Sequence, residues 1–564
     1  MRKPISPLLF LFVLFFAGCH PVSEISREEQ ATDRRYPIIP MPQKMLPAGG
    51  TFFLSPSTRI VVPAGERAVR KVAEFLIDAV ASSFPIRPEV VYGVVVDSNS
   101  VVFSLDSSAA GVTGPEGYRL DVTPASVHIT GRTPAGLFYG LQSLLQLLPT
   151  GVYSPYPAMH KQLPIPCVAI EDAPRFPWRG MHLDVSRHFF PKEFIKRYID
   201  LLAMYKMNVF HWHLTDDNGW RIEIKKYPRL TSVGAWRVDR EQDPWTQRPL
   251  QRPGEPATYG GYYTQEDVKE IVAYASAQFI TVLPEIEMPA HSVEALAAYP
   301  EYSCTGGPFT VLPGGYWPNA NIFCAGNDST FVFLDNILDE VAALFPCQYI
   351  HIGGDEADKA NWKKCPKCQA RIRNEGLKDE EELQSYFIKR IENHLNSIGK
   401  RLIGWDEILQ GGLAPNATVM SWRGVKGGIE AAEQGHDVVM TPTNYCYFDY
   451  YQSESGEPLA GGGLLPLDTV YSYEPVPAAL SPEKQKHILG AQANLWAEYI
   501  PTPIHAEYML LPRMLALSEV VWTAPSRKDY PGFLDRLLNH YRRFDEMGIS
   551  YRDYRKKVHT DETH

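Results

Sequence analysis

Residues 330–356, TFVFLDNILDEVAALFPCQYIHIGGDE, set how the whole chain is read. Up to Phe345 the apolar residues recur at helical spacing, and Pro346 stops the pattern. Tyr349 to Gly353 is then a short run of the kind a buried sheet takes, and it is followed by two adjacent carboxylates, Asp355 and Glu356. Packing alone gives no reason for such a pair at the end of a strand. Neighbours on an extended strand point to opposite faces, so both can serve one site only if the backbone turns, which Gly353 and Gly354 permit.

The same rhythm of helix and strand continues on both sides. Strands are expected at Gly180 to Val185, Asn208 to Leu214, Ile280 to Ile286, Tyr349 to Gly353, Arg401 to Trp405, Thr418 to Trp422, Asp437 to Thr441 and Ile488 to Trp496. Helical patterns fill residues 191–207, 264–279, 330–345, 380–399 and 429–435. The fifth and sixth strands stand close together in sequence. Eight strands with helices between them predict a closed (β/α)8 TIM barrel, an α/β fold, over residues 171–525. Upstream, residues 36–170 read as a small α+β domain. Its strands are expected at Arg59 to Val62, Val94 to Asp97, Val101 to Leu105, Tyr118 to Val122 and Val127 to Thr130, with a helix over 133–148 that Pro149 ends. Residues 526–564 are expected to form a helical tail packed on the barrel.

At its start the chain reads MRKPISPLLFLFVLFFAGC. Arg2 and Lys3 precede an apolar run shorter than the roughly 20 residues that span a bilayer, which fits an export signal over residues 1–19. Its FAGC end resembles a bacterial lipobox, in which Cys19 would carry the lipid, and residues 20–35 would be a polar tether. A lipid anchor in the bacterial cell envelope is therefore expected as the only link to a membrane. The net charge of −10 comes without a basic cluster, which leaves nucleic acid out as a partner. Among the other cysteines, Cys304 and Cys324 flank a Gly/Pro-rich loop and are the expected disulfide. Cys365 and Cys368 have the spacing of half a zinc knuckle, but no second CxxC or HxxxH follows, so no metal is expected there.

Each expected strand delivers chemistry at its C-terminal end, where barrel active sites are built. The eight ends read HLDVSRH, HWHLTDDNGW, PEIEMPAH, HIGGDE, GWDE, SWRG, NYCYFDYYQ and NLWAEY. One reading is a metal-dependent deacetylase or amidohydrolase using His211 and His213 with His291, His351 and Asp355. Another is glycoside hydrolysis by paired carboxylates, with Trp405, Trp422 and Trp496 walling a pocket for a sugar ring. A glycan-binding protein without catalysis is a third, and the intact Asp355–Glu356 pair speaks against it.

The segments WRGMHLDVSR, NVFHWHLTDDNGWR, PEIEMPAH, HIGGDE, GWDE, SWRG, YFD and NLWAE, in this order, resemble the β-N-acetylhexosaminidases of glycoside hydrolase family 20. The resemblance implies a retaining exo-enzyme that removes terminal β-linked GlcNAc or GalNAc from oligosaccharides or glycoconjugates, with no metal or organic cofactor. In that family the nucleophile is the substrate's own acetamido oxygen. Glu356 would be the general acid and then the base. Asp355 would hold the acetamido N–H, and Tyr447 would donate to its carbonyl. Trp405, Trp422 and Trp496 would enclose the N-acetyl methyl and the sugar face, while Arg179, Asp449 and Glu498 would bind outer hydroxyls. Asp216 and His291 would relay to Glu356, with Asp217 the alternative to Asp216. A donor acid must be protonated, and a carboxylate beside it opposes ionisation, so a mildly acidic optimum is expected.

Overall fold

The computed structural model describes residues 36–93, 98–109, 111–156 and 160–556. The signal, the tether, the strand expected at Val94 to Asp97 and the last residues of the tail lie outside them. Among the described residues no helix is long and apolar enough to cross a membrane.

Eight parallel strands close into a barrel: Trp178–Asp184, Val209–His213, Thr281–Glu285, Tyr349–His351, Arg401–Trp405, Thr418–Ser421, Val438–Met440 and Ile488–Ala493. The eighth pairs with the first through Gly490 opposite Trp178 and Ala493 opposite Met181. Helices such as Lys192–Met204, Gln265–Ala277, Asp328–Leu344 and Glu380–Ser397 cover the outside, so the first two strands are buried on both faces. Thr264 opens its helix with a capping box to Asp267, and Pro346 follows the end of Asp328–Leu344 closely. Between the fifth and sixth strands there is no long helix, only a 3-10 turn over Asp406–Leu409.

Several strands are shorter at their C-terminal ends than the sequence pattern suggests. The fourth stops at His351 because Gly353 and Gly354 take φ of +67° and +90°, which no ladder accommodates. In register across the first four strands stand Asp184, His213, Glu285 and His351, a ring of polar groups inside the upper barrel.

The N-terminal domain is a seven-stranded mixed sheet in the order Lys44–Leu54, Leu163–Asp172, Tyr118–Val122, Ser126–Gly131, Ser100–Leu105, Arg59–Val62 and Glu89–Tyr92. Helices Arg67–Ser83 and Pro134–Leu147 belong to it, the second capped by Thr133. The C-terminal helix Tyr530–Met547 packs on both domains and not on the barrel alone. His540 Nε2 donates to the Pro37 carbonyl at 2.7 Å, so its Nδ1 accepts from Tyr205 Oη at 2.9 Å, and Arg543 Nη2 donates to the Leu148 carbonyl at 2.9 Å.

Two expectations are corrected here. Cys304 and Cys324 form no disulfide, and all seven described cysteines are unpaired by S–S bonds. Arg179 does not reach a substrate site. It lies at the N-terminal end of the first strand, about 16 Å of extended chain below Asp184. Fully buried, its Nη1 and Nη2 donate to the Glu116 carboxylate at 2.9 Å each, and its Nε donates to the Lys206 carbonyl at 2.8 Å. Arg179 therefore joins the N-terminal domain to the barrel. Arg179→Ala is expected to cost about 2–4 kcal/mol in chemical denaturation, a little under a fully buried pair because Glu116 keeps contact with water, and to leave KM unchanged.

Candidate active site

At the C-terminal mouth of the barrel lies a cavity of about 470 Å³, a size suited to a small ligand. Asp355 and Glu356 both face it. The two glycines make this possible, and Glu356 itself has φ of +47°, a left-handed conformation that a side chain adopts only at a cost of about 1–2 kcal/mol. Gly353 is further constrained by its neighbour, since a Cβ there would sit 1.7 Å from Glu287 Oε2.

His291 stands between two pairs of carboxylates. Its Nδ1 is 3.3 Å from Asp216 Oδ1 and 3.6 Å from Asp217 Oδ2, and its Nε2 is 3.4 Å from Glu356 Oε2 and 3.5 Å from Asp355 Oδ2. Burial alone would lower its pKa, but the charges of Asp216 and Asp355 outweigh that and hold it well above the ordinary imidazole value. The chain of contacts continues inward, with Asp216 Oδ2 3.1 Å from His213 Nε2 and His213 Nδ1 bonded to Glu285. Burial pushes Asp355 up to about 6, against the pull of His291 and with the help of Glu356.

Trp405, Trp422, Tyr447 and Trp496 form the aromatic wall. Trp405 Nε1 donates to Glu285 Oε1 at 2.8 Å and Trp422 Nε1 to Glu407 Oε2 at 2.9 Å, so both rings are fixed by carboxylates behind them. Tyr447 stacks on Trp422 with ring centroids 6.1 Å apart and 22° between planes. Arg187, Asp449 and Glu498 also line the cavity. Arg187 holds Asp184 at 3.0 Å, Asp216 at 2.6 Å and Glu498 at 3.5 Å, and lies 5.2 Å from the Trp496 ring centroid. Burial raises Asp449 and Glu498, the first further through the charge of the second. Among the described residues, Asp355 Oδ1 and Asp449 Oδ1 are buried with no hydrogen-bond partner, which leaves them for a ligand.

Residues 176–525 match the model of "Glycosyl hydrolase family 20, catalytic domain", and residues 35–173 match "Glycosyl hydrolase family 20, domain 2". The chain belongs to glycosyl hydrolase family 20. Among similar proteins, "Beta-hexosaminidase" of Porphyromonas gingivalis is 47% identical over 522 residues, 92% of this chain and 64% of that relative. "Beta-hexosaminidase" of Vibrio furnissii is 40% identical over 71% of this chain and 64% of its own length. The chain thus spans 64% of each of these two relatives. Among solved structures, the Streptomyces plicatus N-acetyl-beta-hexosaminidase in complex with Thio-NAglucal has a TM-score of 0.79 and 32% identity, over 92% of this chain and 96% of that one. The GH20 exo beta-N-acetylglucosaminidase of Vibrio harveyi in complex with N-acetylglucosamine also gives 0.79 and 32%, over 92% and 78%.

This family 20 chain brings together all the residues that the family resemblance assigned to the sugar site except Arg179. Asp216 is fully buried and nearer His291 than Asp217, whose Oδ1 accepts from the Val293 N–H. The residues of the metal reading are not gathered at the cavity. His211 and His351 are fully buried and do not line the cavity; His211 Nε2 and His351 Nδ1 stand 3.0 and 2.8 Å from Glu285 oxygens, His211 Nδ1 meets Gln492, and His351 Nδ1 accepts from the Gly353 N–H at 3.1 Å. Of the proposed ligand set only His291 and Asp355 line the cavity. Sequence reasoning missed Arg187, Glu407 and Trp317. Arg187 stands in HLDVSRH, past the C-terminal end of the first strand, and that position was the signal. Arg187→Ala is expected to lower kcat/KM about 10²-fold with Lys a poor rescue, because one guanidinium fork serves three carboxylates. Steady-state kinetics on both variants checks this.

Proposed function

We propose that the chain is a retaining exo-β-N-acetylhexosaminidase acting on terminal β-linked GlcNAc or GalNAc by substrate-assisted catalysis. The observation that carries it is the turn at Gly353 and Gly354, which aims two adjacent carboxylates into one aromatic-walled cavity of about 470 Å³. Two carboxyl groups on neighbouring residues suit a leaving oxygen and the acetamide next to it better than opposite sides of one bond.

Glu356 gives its proton to the glycosidic oxygen as the acetamido carbonyl oxygen attacks the anomeric carbon, and the bond to the leaving group breaks. Asp355 accepts the acetamido N–H and balances the positive charge of the oxazolinium ring, while Tyr447 Oη donates to the attacking oxygen. Glu356, now a carboxylate, takes a proton from water, which opens the ring at the same carbon and restores the β configuration. His291 positions both carboxylates from its contacts at 3.4 and 3.5 Å. Asp449, Glu498 and Arg187 offer donors and acceptors for outer hydroxyls, which favours a terminal sugar. The test is turnover of aryl β-GlcNAc and aryl β-GalNAc by purified protein, with the first-formed anomer read by NMR. An α product, or no turnover of either, overturns the reading.

The acid side of the pH profile follows from Asp355. It must be ionised to balance charge, and its ionised fraction falls as pH drops through about 6. The expected kcat/KM therefore decreases below about pH 6, and the residual activity of Asp355→Asn lacks that limb. We also place the chain in the cell envelope with a lipid on Cys19, on the strength of the basic, apolar and FAGC segments of residues 1–19. Cys19→Ser is then expected to move the protein from the membrane pellet to the soluble fraction.

A further inference from the structure

We infer that Cys304, Cys324, Cys365 and Cys368 bind one zinc ion as a structural tetrathiolate that ties the loop after the third barrel strand to the loop after the fourth. The CPKC pair supplies two ligands and the loop folded against it supplies the other two, which is why a search for a second CxxC finds nothing. All four Sγ atoms lie within 4.8 Å of one another. Cys304 and Cys324 are each 3.6 Å from Cys368, and Cys324 is 3.8 Å from Cys365. Zinc–sulfur bonds of about 2.3 Å in a tetrahedron put the sulfurs about 3.8 Å apart. A disulfide would need about 2.05 Å, and an iron–sulfur cluster, with sulfide-bridged irons between the thiolates, would spread them wider.

The surroundings fit a metal centre. Cys324, Cys365 and Cys368 are buried and Cys304 is partly so. The Gly326 N–H donates to Cys324 Sγ, a bond that steadies a thiolate. A Cβ on Gly326 would lie 2.2 Å from the Lys367 carbonyl carbon and 2.3 Å from the Cys368 nitrogen, so only glycine lets the two loops come this close. Exposed Lys363, Lys364 and Lys367 flank Cys365 and Cys368 in sequence, beside a site whose four thiolates and one dication would sum to a negative charge.

The place of the site in the fold gives it a purpose. The first loop carries His291 and Trp317, the second carries Asp355 and Glu356, and all four line the cavity. Trp317 is 64% exposed, so little packing holds it. Hydrogen bonds from Trp362 Nε1 to the Phe323 carbonyl at 2.9 Å and from Asn361 Nδ2 to the Ala320 carbonyl at 2.8 Å already run between the loops. A metal beside them would lock the cavity rim.

The test uses the full chain purified without chelator. Elemental analysis is expected to give about one zinc per chain, and four cysteines should react with a thiol reagent only after denaturation with chelator. Cobalt exchanged for zinc should show the visible bands of a tetrahedral thiolate site. Cys368→Ser is expected to lose the zinc and to lower Tm by about 5–15 °C, while Cys347→Ser, at a buried cysteine outside the cluster, keeps the zinc. If Cys368→Ser does not fold, metal content and thiol count of the unsubstituted protein still decide. Iron in place of zinc, Cys–Cys cross-links in non-reduced peptides, or four thiols that react without chelator would each overturn the assignment.

Discussion

Asp355→Asn is expected to lower kcat by about 10²–10³ on aryl N-acetylhexosaminides whatever the leaving group, because the charge it supplies is needed in every reaction through an oxazolinium ring. Glu356→Gln should behave differently. A good leaving group such as nitrophenolate departs with little protonation, so the loss there is small for the first step, whereas with an alkyl or sugar leaving group it should reach about 10³–10⁴. Both variants keep the cavity, since neither carboxylate anchors the fold. Among the described residues, Asp355 Oδ1 has no hydrogen-bond partner, and Glu356 Oε2 stands 3.4 Å from His291 Nε2. Unchanged Tm together with a steep leaving-group dependence in one variant and a flat one in the other is the expected pattern. Equal losses across leaving groups in both would contradict the division of labour between the neighbours.

Much of the barrel and its mouth is legible in the sequence because a parallel barrel leaves two marks there. Its strands are apolar runs, and its chemistry collects just after them, so HIGGDE, GWDE, SWRG and NLWAE each mark a strand end. The same rule shows why Arg179 misleads. It precedes the first strand's apolar centre, whereas Arg187 follows it, and only the second can face the mouth. The N-terminal sheet is harder to read. Lys44–Leu54 contains Pro47 and two glycines, and Leu163–Asp172 contains Pro164 and Pro166. Both prolines in the latter fall where only the strand Lys44–Leu54 is alongside, because pairing to Tyr118–Val122 starts at Val168. The cysteine cluster is hidden for another reason: its ligands come from two loops, and sequence spacing records only contacts made within one. Glu407 is visible in GWDE, but its task, holding Trp422, depends on a side-chain direction that no pattern encodes.

An aryl β-glucoside is expected to be cleaved at least about 10⁴-fold more slowly than the matching GlcNAc compound, the largest effect foreseen for this site. A built-in nucleophile held against the reacting carbon is worth an effective concentration of about 10⁵–10⁸ M, and the glucoside lacks it. The described carboxylates next to Asp355 and the tryptophan wall are poorly placed to replace the acetamide. Glu407 is raised to about 8 by burial and by the charges of Asp355 and Asp406, so at neutral pH it is mostly protonated, and its Oε2 already accepts from Trp422. Glu287 is buried and pushed well above the carboxylate range, with Asp355 adding to the effect. Asp355 is ionised at neutral pH, but it belongs to the same turn as the acid and shares His291 with it at 3.5 and 3.4 Å, so its carboxylate serves the acetamide beside the reacting carbon. A double-displacement glycosidase using two protein carboxylates keeps them about 5 Å apart across the sugar. Comparable rates on the two substrates would mean that one of these groups does attack, and the assignment of Asp355 as a charge-balancing partner would have to be abandoned.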